Sequence, residues 1–297
     1  MSNHKVTVII ATMAERSRRF SLERALNSIR NQRDISCDIC VVVNGTRYDE
    51  DLIEKIKSDS AIDYYYSEVA SFPEALRIGR SKVKTPFFCF LDDDDELLNN
   101  SVKERLDCML ASNTTDVVVG NGYRMTTNGD ESKVFSDFNL VSQDPLAYLT
   151  RESGNWLASC SGLYRTSSID QSYFDDYAKH YEWTYLAFKI ALKCSIYFID
   201  QPTYRIIGST GSLSTSESYF SGSIDAVKKI IKLPLPMKHR KKLVNRLSDI
   251  HHHLSNRYLQ KETRDYMKSW HHHIKSLNSI HGLRYLSYTR HIIKSIV

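Results

Sequence analysis

An apolar pentapeptide, Phe87-Phe88-Cys89-Phe90-Leu91, runs without a break into five acids, Asp92-Asp93-Asp94-Asp95-Glu96. An apolar run of that length, with no polar alternation, suits a strand covered on both faces. Adjacent carboxylates repel, and the repulsion grows where apolar chain excludes water. A buried strand can end in such a cluster only if something neutralises it, and a hard divalent cation does so by taking oxygen ligands. If the segment stays extended, alternation sends Asp92 and Asp94 to one side and Asp93 to the other. Asp92 and Asp94 are then the natural pair for Mg2+ or Mn2+ bridging a diphosphate. The plainer alternative is a solvated acidic loop capping a helix that starts near Leu98. The place of the acids, at the end of a buried strand, argues against it.

The flanks of this strand supply a layered fold. Residues 5–11 (KVTVIIA), 37–43 and 62–66 read as strands, and 23–33, 49–57 and 74–82 as amphipathic helices, the first with Ser21 as N-cap. Strands alternating with helices at this spacing indicate βαβ units. The expected fold is α/β, a Rossmann-like, mainly parallel sheet with helices on both faces. Ligands bind such sheets beyond the carboxyl ends of the strands. The segments after Ala11, Val43 and Leu91 therefore matter most, and a nucleotide pocket is expected there. The middle, 115–220, is less regular, with strands expected at 116–120 and 195–199 and a helix at 182–192.

The 297 residues suffice for one large domain or two smaller ones, and the net charge of +5 hides a division. From Lys228 onward there are 16 Lys+Arg against 3 Asp+Glu, a net of +13, whereas residues 1–227 carry 24 against 32, a net of −8. We therefore expect a domain of residues 1–220 that holds the chemistry and a basic, all-helical appendage of residues 221–297. In the appendage Leu243, Leu247, Ile250, Leu254 and Tyr258 mark one amphipathic helix and Tyr266, Trp270, Ile274 and Leu277 a second, with a third over 283–297. Apolar and aromatic stripes among Lys and Arg suit helices lying on an anionic membrane surface. Packing within the protein or a homodimer contact is the alternative. No nucleic-acid-binding motif appears, so no nucleic acid is expected as partner. Two histidine triplets, 251–253 and 271–273, cannot each aim three rings at one ion, because neighbouring helix residues diverge by about 100°. They read as solvated helix faces.

No apolar stretch approaches the roughly 18 residues that cross a bilayer. Met1 to Lys5 leads directly into a strand-like run without a signal-peptide core. Six scattered cysteines include one Cys37-x-x-Cys40 pair with no second pair to complete a metal site. The expectation is a cytoplasmic protein with reduced thiols.

Six segments come in a telling order: VTVIIAT, CVVVNGT, EALRIGRSKVKTPFFCFLDDDDELL, SGLYR, FDDYAKHYEW and PTYRIIGSTGSLS. Together, over roughly residues 5–215, the chain resembles the family-two inverting glycosyltransferases with the A-type nucleotide-diphospho-sugar transferase fold. The resemblance implies that Thr12 lines the nucleoside pocket. It puts Asn44 where many relatives have an Asp that pairs with uracil, so a UDP-sugar stays the favoured donor. Arg77 is placed to reach the donor phosphates. Asp92 and Asp93 meet the nucleotide sugar, and Asp92 with Asp94 forms the metal-binding D-x-D for Mn2+ or Mg2+. Tyr181-Glu182-Trp183 falls where relatives carry an acidic pair and an aromatic residue. Glu182 is then the catalytic base, with Tyr181 in place of the first acid and Asp175 and Asp176 as substitutes.

Two further positions are weaker. Trp156 is a candidate acceptor platform, since indole stacks on a sugar face, with core packing as the alternative. Arg205 could contact phosphate near Ser209 and Ser212. The activity implied is metal-dependent, inverting transfer of a sugar, of hexosyltransferase type. The sugar passes from a nucleotide-sugar donor to a glycan or lipid-linked acceptor. Surface polysaccharide biosynthesis at the inner face of the membrane is the setting implied. A sugar nucleotidyltransferase would need a glycine-rich loop after the first strand, and Thr12-Met13-Ala14-Glu15-Arg16 has no glycine. A non-catalytic carbohydrate- or membrane-binding protein is favoured by Tyr181 and opposed by Asp92 and Asp94.

Overall fold

Strands that are apolar on both sides need cover on both sides, and that requirement organises the first part of the chain. The computed structural model describes residues 5–126, 128–152, 154–208, 217–260 and 264–296. The strands are β1 (Lys5–Thr12), β2 (Ser36–Asn44), β3 (Ile62–Ser67), β4 (Phe87–Asp92), β5 (Glu96–Leu97), β6 (Val117–Met125), β7 (Glu131–Lys133), β8 (Gly162–Arg165) and β9 (Ile196–Ile207). The helices up to the middle are α1 (Arg19–Arg30), α2 (Glu50–Ser58), α3 (Phe72–Lys82), α4 (Ser101–Leu110), α5 (Phe138–Gln143) and α6 (Pro145–Leu149). After them come α7 (Ser172–Asp175), α8 (Glu182–Lys193), α9 (Glu217–Ile231), α10 (Met237–Tyr258), α11 (Tyr266–Ser276) and α12 (Tyr288–Ile296).

Among the described residues one mixed sheet forms, in the order β3-β2-β1-β4-β8-β6-β9-β5, with β7 beside β6. β1 pairs in parallel with both β2 and β4, and β2 with β3. β8 runs antiparallel between β4 and β6, and β9 is parallel to β6. The chain winds outward from β1 to β3 and then returns to the other side of β1 as β4. That reversal opens a crevice beyond the carboxyl ends of β1 and β4.

Alternation along the strands sorts the cover. Val6, Val8, Ile10, Val41, Val43, Cys89 and Leu91 share a core with Leu22, Leu26 and Ile29 of α1 and Leu52, Ile53 and Ile56 of α2. Ile9 and Val42 face α3 instead. Gly79 lets α3 come that close, because a Cβ there would lie 2.4 Å from the Ile9 side chain. On this second face Phe88 stacks on Tyr164 and Phe90 meets the ring of Trp183 at the start of α8.

The parallel half, with its three intervening helices, has the expected form. Helix α1 begins earlier than its apolar spacing indicated, so Ser21 lies inside it and donates to the Arg18 carbonyl at 3.0 Å rather than capping. β5 and β8 were not foreseen, at two and four residues. β9 continues well past the expected 195–199.

The chain divides into two compact units: Met1–Leu149, Gly154–Tyr177 and Glu182–Ser212 in the first, and Thr150–Ser153, Ala178–Tyr181 and Leu213–Val297 in the second. In the second, α10 and α11 close on small polar side chains. Ser255 Oγ donates to the Ser269 carbonyl at 2.8 Å, and Ser269 Oγ to the Ser255 carbonyl at 2.9 Å. Each histidine triplet turns one ring inward and leaves one, His253 or His271, exposed, which corrects the sequence reading in part. His251 and His273 are buried, the Nδ1 atoms of His251 and His272 lie 2.9 Å apart, and the His252 ring stacks on Tyr285 at 3.7 Å. Among the described residues, no helix is long and apolar enough to cross a membrane, and all six cysteines are free.

Burial, with the neighbouring His272, Lys228 and Lys275, pushes His251 down to about 4. A histidine kept neutral in the fold protonates first in the unfolded chain, near 6.5. Its contribution is therefore full above that pH and is lost as pH falls from about 6.5 toward 4. Thermal denaturation should show a larger drop in Tm between pH 7 and pH 5 for the parent than for His251→Gln. Equal drops would show that this histidine does not carry the acid sensitivity.

Candidate active site

The carboxyl ends of β1, β2 and β4 lie side by side, with Ala11 opposite Asp92 and Thr12 opposite Val43. β4 delivers its acids into this crevice, but the chain does not stay extended. The Asp95 N–H donates to the Asp92 carbonyl at 3.2 Å, closing a turn directly after the strand. The alternation expected of an extended chain therefore stops at Asp92, and the turn brings Asp93 and Asp94 to a shared partner, Arg18.

Asp92 is still a strand residue and keeps the side of Phe88 and Phe90. Burial, then the charges of Asp95 and Asp94, hold its carboxyl well above the usual range. Asp93 accepts from Thr12 Oγ1 at 2.5 Å and from Arg18 Nη1 at 3.4 Å. Burial raises it, against the Thr12 bond and the Arg18 charge. Asp94 accepts from the same Arg18 Nη1 at 2.5 Å, while its carbonyl accepts from Arg24 Nη2 at 2.5 Å. Asp95 is buried, accepts from the Ile207 N–H at 3.0 Å and from Cys160 Sγ at 3.6 Å, and is pushed up to about 7 by burial. Its neighbour Glu96 pairs with Arg205, which also bonds Glu131 at 2.5 Å. Arg205 is thus held between two carboxylates. Ser209 and Ser212, named with it, lie outside the described residues.

Thr12 and Asn44 lie at the ends of β1 and β2, on one side of the crevice. Thr12 Oγ1 also accepts from the Ala14 N–H at 2.9 Å, and Asn44 Nδ2 donates to the Thr12 carbonyl at 3.0 Å. Both residues are buried. Arg77 lies in the middle of α3. Its guanidinium closes on Glu74 of the same helix turn through two bonds of 2.8 and 2.6 Å. Arg18 and Arg24 hold the acidic turn, and the sequence reading did not single them out. The available signal was Arg16-Ser17-Arg18-Arg19 directly after the first strand, opposite in sign to the acids.

Glu182 opens α8, and its neighbour Trp183 packs edge-on against Phe90 at 5.2 Å and against Phe72 at 6.3 Å. This anchors the start of α8 on the strand that ends in Asp92. A pocket there is lined by Pro73, Leu76, Phe174, Asp176, Glu182 and Trp183. Asp176 accepts from Tyr185 OH at 2.7 Å, while Asp175 is exposed. Trp156 corrects an expectation. It is fully buried, its indole N–H donates to the Pro145 carbonyl at 3.2 Å, and its ring meets Phe198 at 5.3 Å, so it shows no face to a sugar.

Among the described residues no three His, Cys, Asp or Glu side chains converge as a metal cage. The acids fit a cation of another style. Mg2+ is commonly held by one or two carboxylates plus substrate phosphates, and Mn2+ shares its oxygen preference. Two carboxylates on a turn, one of them raised by burial and then by like charges, make such a donor set.

The family model for glycosyl transferase family 2 matches residues 7–172, more than half of the chain. No curated protein matches it. Among solved structures, S. aureus TarS 1–349 in complex with UDP-GlcNAc superposes with a TM-score of 0.65 at 17% identity, covering 92% of this chain and 79% of that one. The same TarS fragment described without ligand gives 0.61 at 16%, covering 92% and 80%. Against TarS itself the score is 0.61 at 16%, covering 99% of this chain but 49% of that one. At such identities the likeness is one of fold, and the fold is the A-type glycosyltransferase sheet.

Removing the Trp156 ring should open a core cavity and cost about 3–5 kcal/mol. Urea denaturation of Trp156→Ala checks this. Unchanged stability with a raised acceptor KM would instead make the indole a substrate platform.

Proposed function

The chain belongs to glycosyl transferase family 2, and on that premise we propose that it is a metal-dependent, inverting hexosyltransferase. The observation that carries the reading is the turn of Asp92, Asp93 and Asp94 at the end of β4, beside Thr12 and Asn44 on neighbouring strand ends. The donor is a nucleoside diphosphate sugar. A UDP-sugar is favoured, since the relative of similar fold is seen with UDP-GlcNAc. The Asn44 side chain carries both an acceptor and a donor suited to a pyrimidine edge. The domain of residues 1–220 does the chemistry.

Asp92 and Asp94 would hold Mn2+ or Mg2+, which when bound neutralises the charge that grows on the departing diphosphate. The other roles fall to the protein's own groups. Thr12 fixes Asp93 and with it the turn. Arg24 fixes the turn through the Asp94 carbonyl, independently of any charge on that side chain. Glu182 takes the proton from the acceptor hydroxyl as it attacks the anomeric carbon from the face opposite the leaving group. The start of α8, set on Phe90 by Trp183, supports that assignment. The acceptor is a glycan or lipid-linked precursor of a surface polysaccharide. The basic region of residues 221–297 works at the anionic inner face of the membrane.

Glu182→Gln keeps size and hydrogen bonding but cannot accept the proton. At saturating donor, turnover should fall by roughly a hundred- to ten-thousand-fold while donor affinity and Tm stay near the parent's. If Glu182→Gln stays within about tenfold of the parent, below the usual general-base effect, while Asp175→Asn or Asp176→Asn is inactive, the base is one of those aspartates.

A further inference from the structure

Helix α11 is built inside out. Its buried residues are Ser269, His273 and Ser276, whereas Met267, Trp270 and Ile274 are 83%, 36% and 51% exposed. At about 100° per residue these three share one narrow face. Packing of α11 on α10 does not need them, because the Ser255–Ser269 hydroxyl pair allows close approach on the opposite side. The apolar exposure continues beyond the helix. Ile280 is 90% exposed, and Leu283, Leu286 and Ile293 are each at least half exposed.

The charge around this face selects its partner. Residues 264–296 hold six Lys+Arg and a single acid, Asp265. Lys268 and Lys275 lie together along one border of the apolar face, the border next to Met267. Protein–protein interfaces are depleted in lysine. Aromatic and aliphatic side chains bordered by lysines that reach up to headgroups are the pattern of a helix lying in a membrane interface. We propose that Met267, Trp270 and Ile274 of α11 enter the headgroup–acyl boundary of an anionic leaflet, with Lys268 and Lys275 meeting its lipid phosphates. This inference rests on the reading that the basic region works at a membrane, and it names the residues that make the contact.

The test uses the full chain and sedimentation with vesicles of phosphatidylglycerol and phosphatidylcholine in equal parts, beside vesicles of phosphatidylcholine alone. The parent should bind the anionic vesicles preferentially. A variant combining Met267→Ser, Trp270→Ser and Ile274→Ser should bind them at least about tenfold more weakly while still folding. Met267→Ser with Ile274→Ser, which spares the contact of Trp270 with His273, should weaken binding with an unchanged Tm. Lys268→Gln with Lys275→Gln should weaken binding and flatten its salt dependence. Equal binding by parent and triple variant would overturn this face and leave attraction by charge alone. No vesicle binding by the parent would overturn the membrane reading and this inference with it. A parent that dimerises without binding vesicles, and a triple variant that is monomeric, would assign the face to a second copy of the chain.

Discussion

Four consecutive aspartates at the mouth of an apolar strand carry more negative charge than their surroundings tolerate, and the neighbouring elements are arranged as answers to it. Asp95, the most enclosed, is tied by the Ile207 N–H and by Cys160, which joins the end of β4 to β9. Asp93 is tied to β1 through Thr12. Asp94 is held by Arg18, whose side chain is 40% exposed. These are different kinds of bond. Backbone and hydroxyl donors inside the fold are permanent, whereas a half-exposed ion pair is screened by water and contributes little to stability. The turn is thus fixed by Thr12 and Ile207, and its charge is met by a cation that can be exchanged.

Such an arrangement suits a group that must accept a diphosphate and release it. A fully caged metal would compete with the substrate for ligand positions, while two carboxylates leave most of the shell to phosphate and water. Along the same strand, Phe88 supports Tyr164 of β8, and Phe90 supports Trp183, which brings the start of α8 onto β4. One strand therefore carries the acids and seats the candidate base. The second unit works by other means. Its interior mixes apolar side chains such as Leu243 and Leu254 with serine and histidine, and α11 turns its apolar side chains outward.

Much of this was legible in the residues. Uninterrupted runs such as Val8-Ile9-Ile10 and Phe87 to Leu91 signal strands buried on both faces, and apolar steps of three and four signal α1 to α3. The acid run after Leu91 announced the site. What stayed hidden was whatever depends on a turn or on distant pairing. β5 and β8 are too short for a periodic pattern, and the turn at Asp92 broke the alternation that an extended chain would keep. Arg18 meets Asp93 and Asp94 only because β1 lies beside β4, some 75 residues later in the chain. Arg77 with Glu74 could have been read, since residues three apart on a helix are neighbours. The α11 stripe left two readings open, because apolar spacing reveals a face without saying whether it turns inward. Trp156 had no signal that separates a buried indole from a sugar platform.

The account turns on whether the acidic turn is a metal-assisted diphosphate site whose resting counter-ion is Arg18. Calorimetric titration of Mn2+ into the chain with and without UDP tests this directly, using the parent, Asp94→Asn and Arg18→Ala. The account predicts binding by the parent, its loss in Asp94→Asn, and tighter binding of Mn2+ alone by Arg18→Ala, where no guanidinium competes for the carboxylate. Equal affinity in all three chains, or none in the parent, would contradict it.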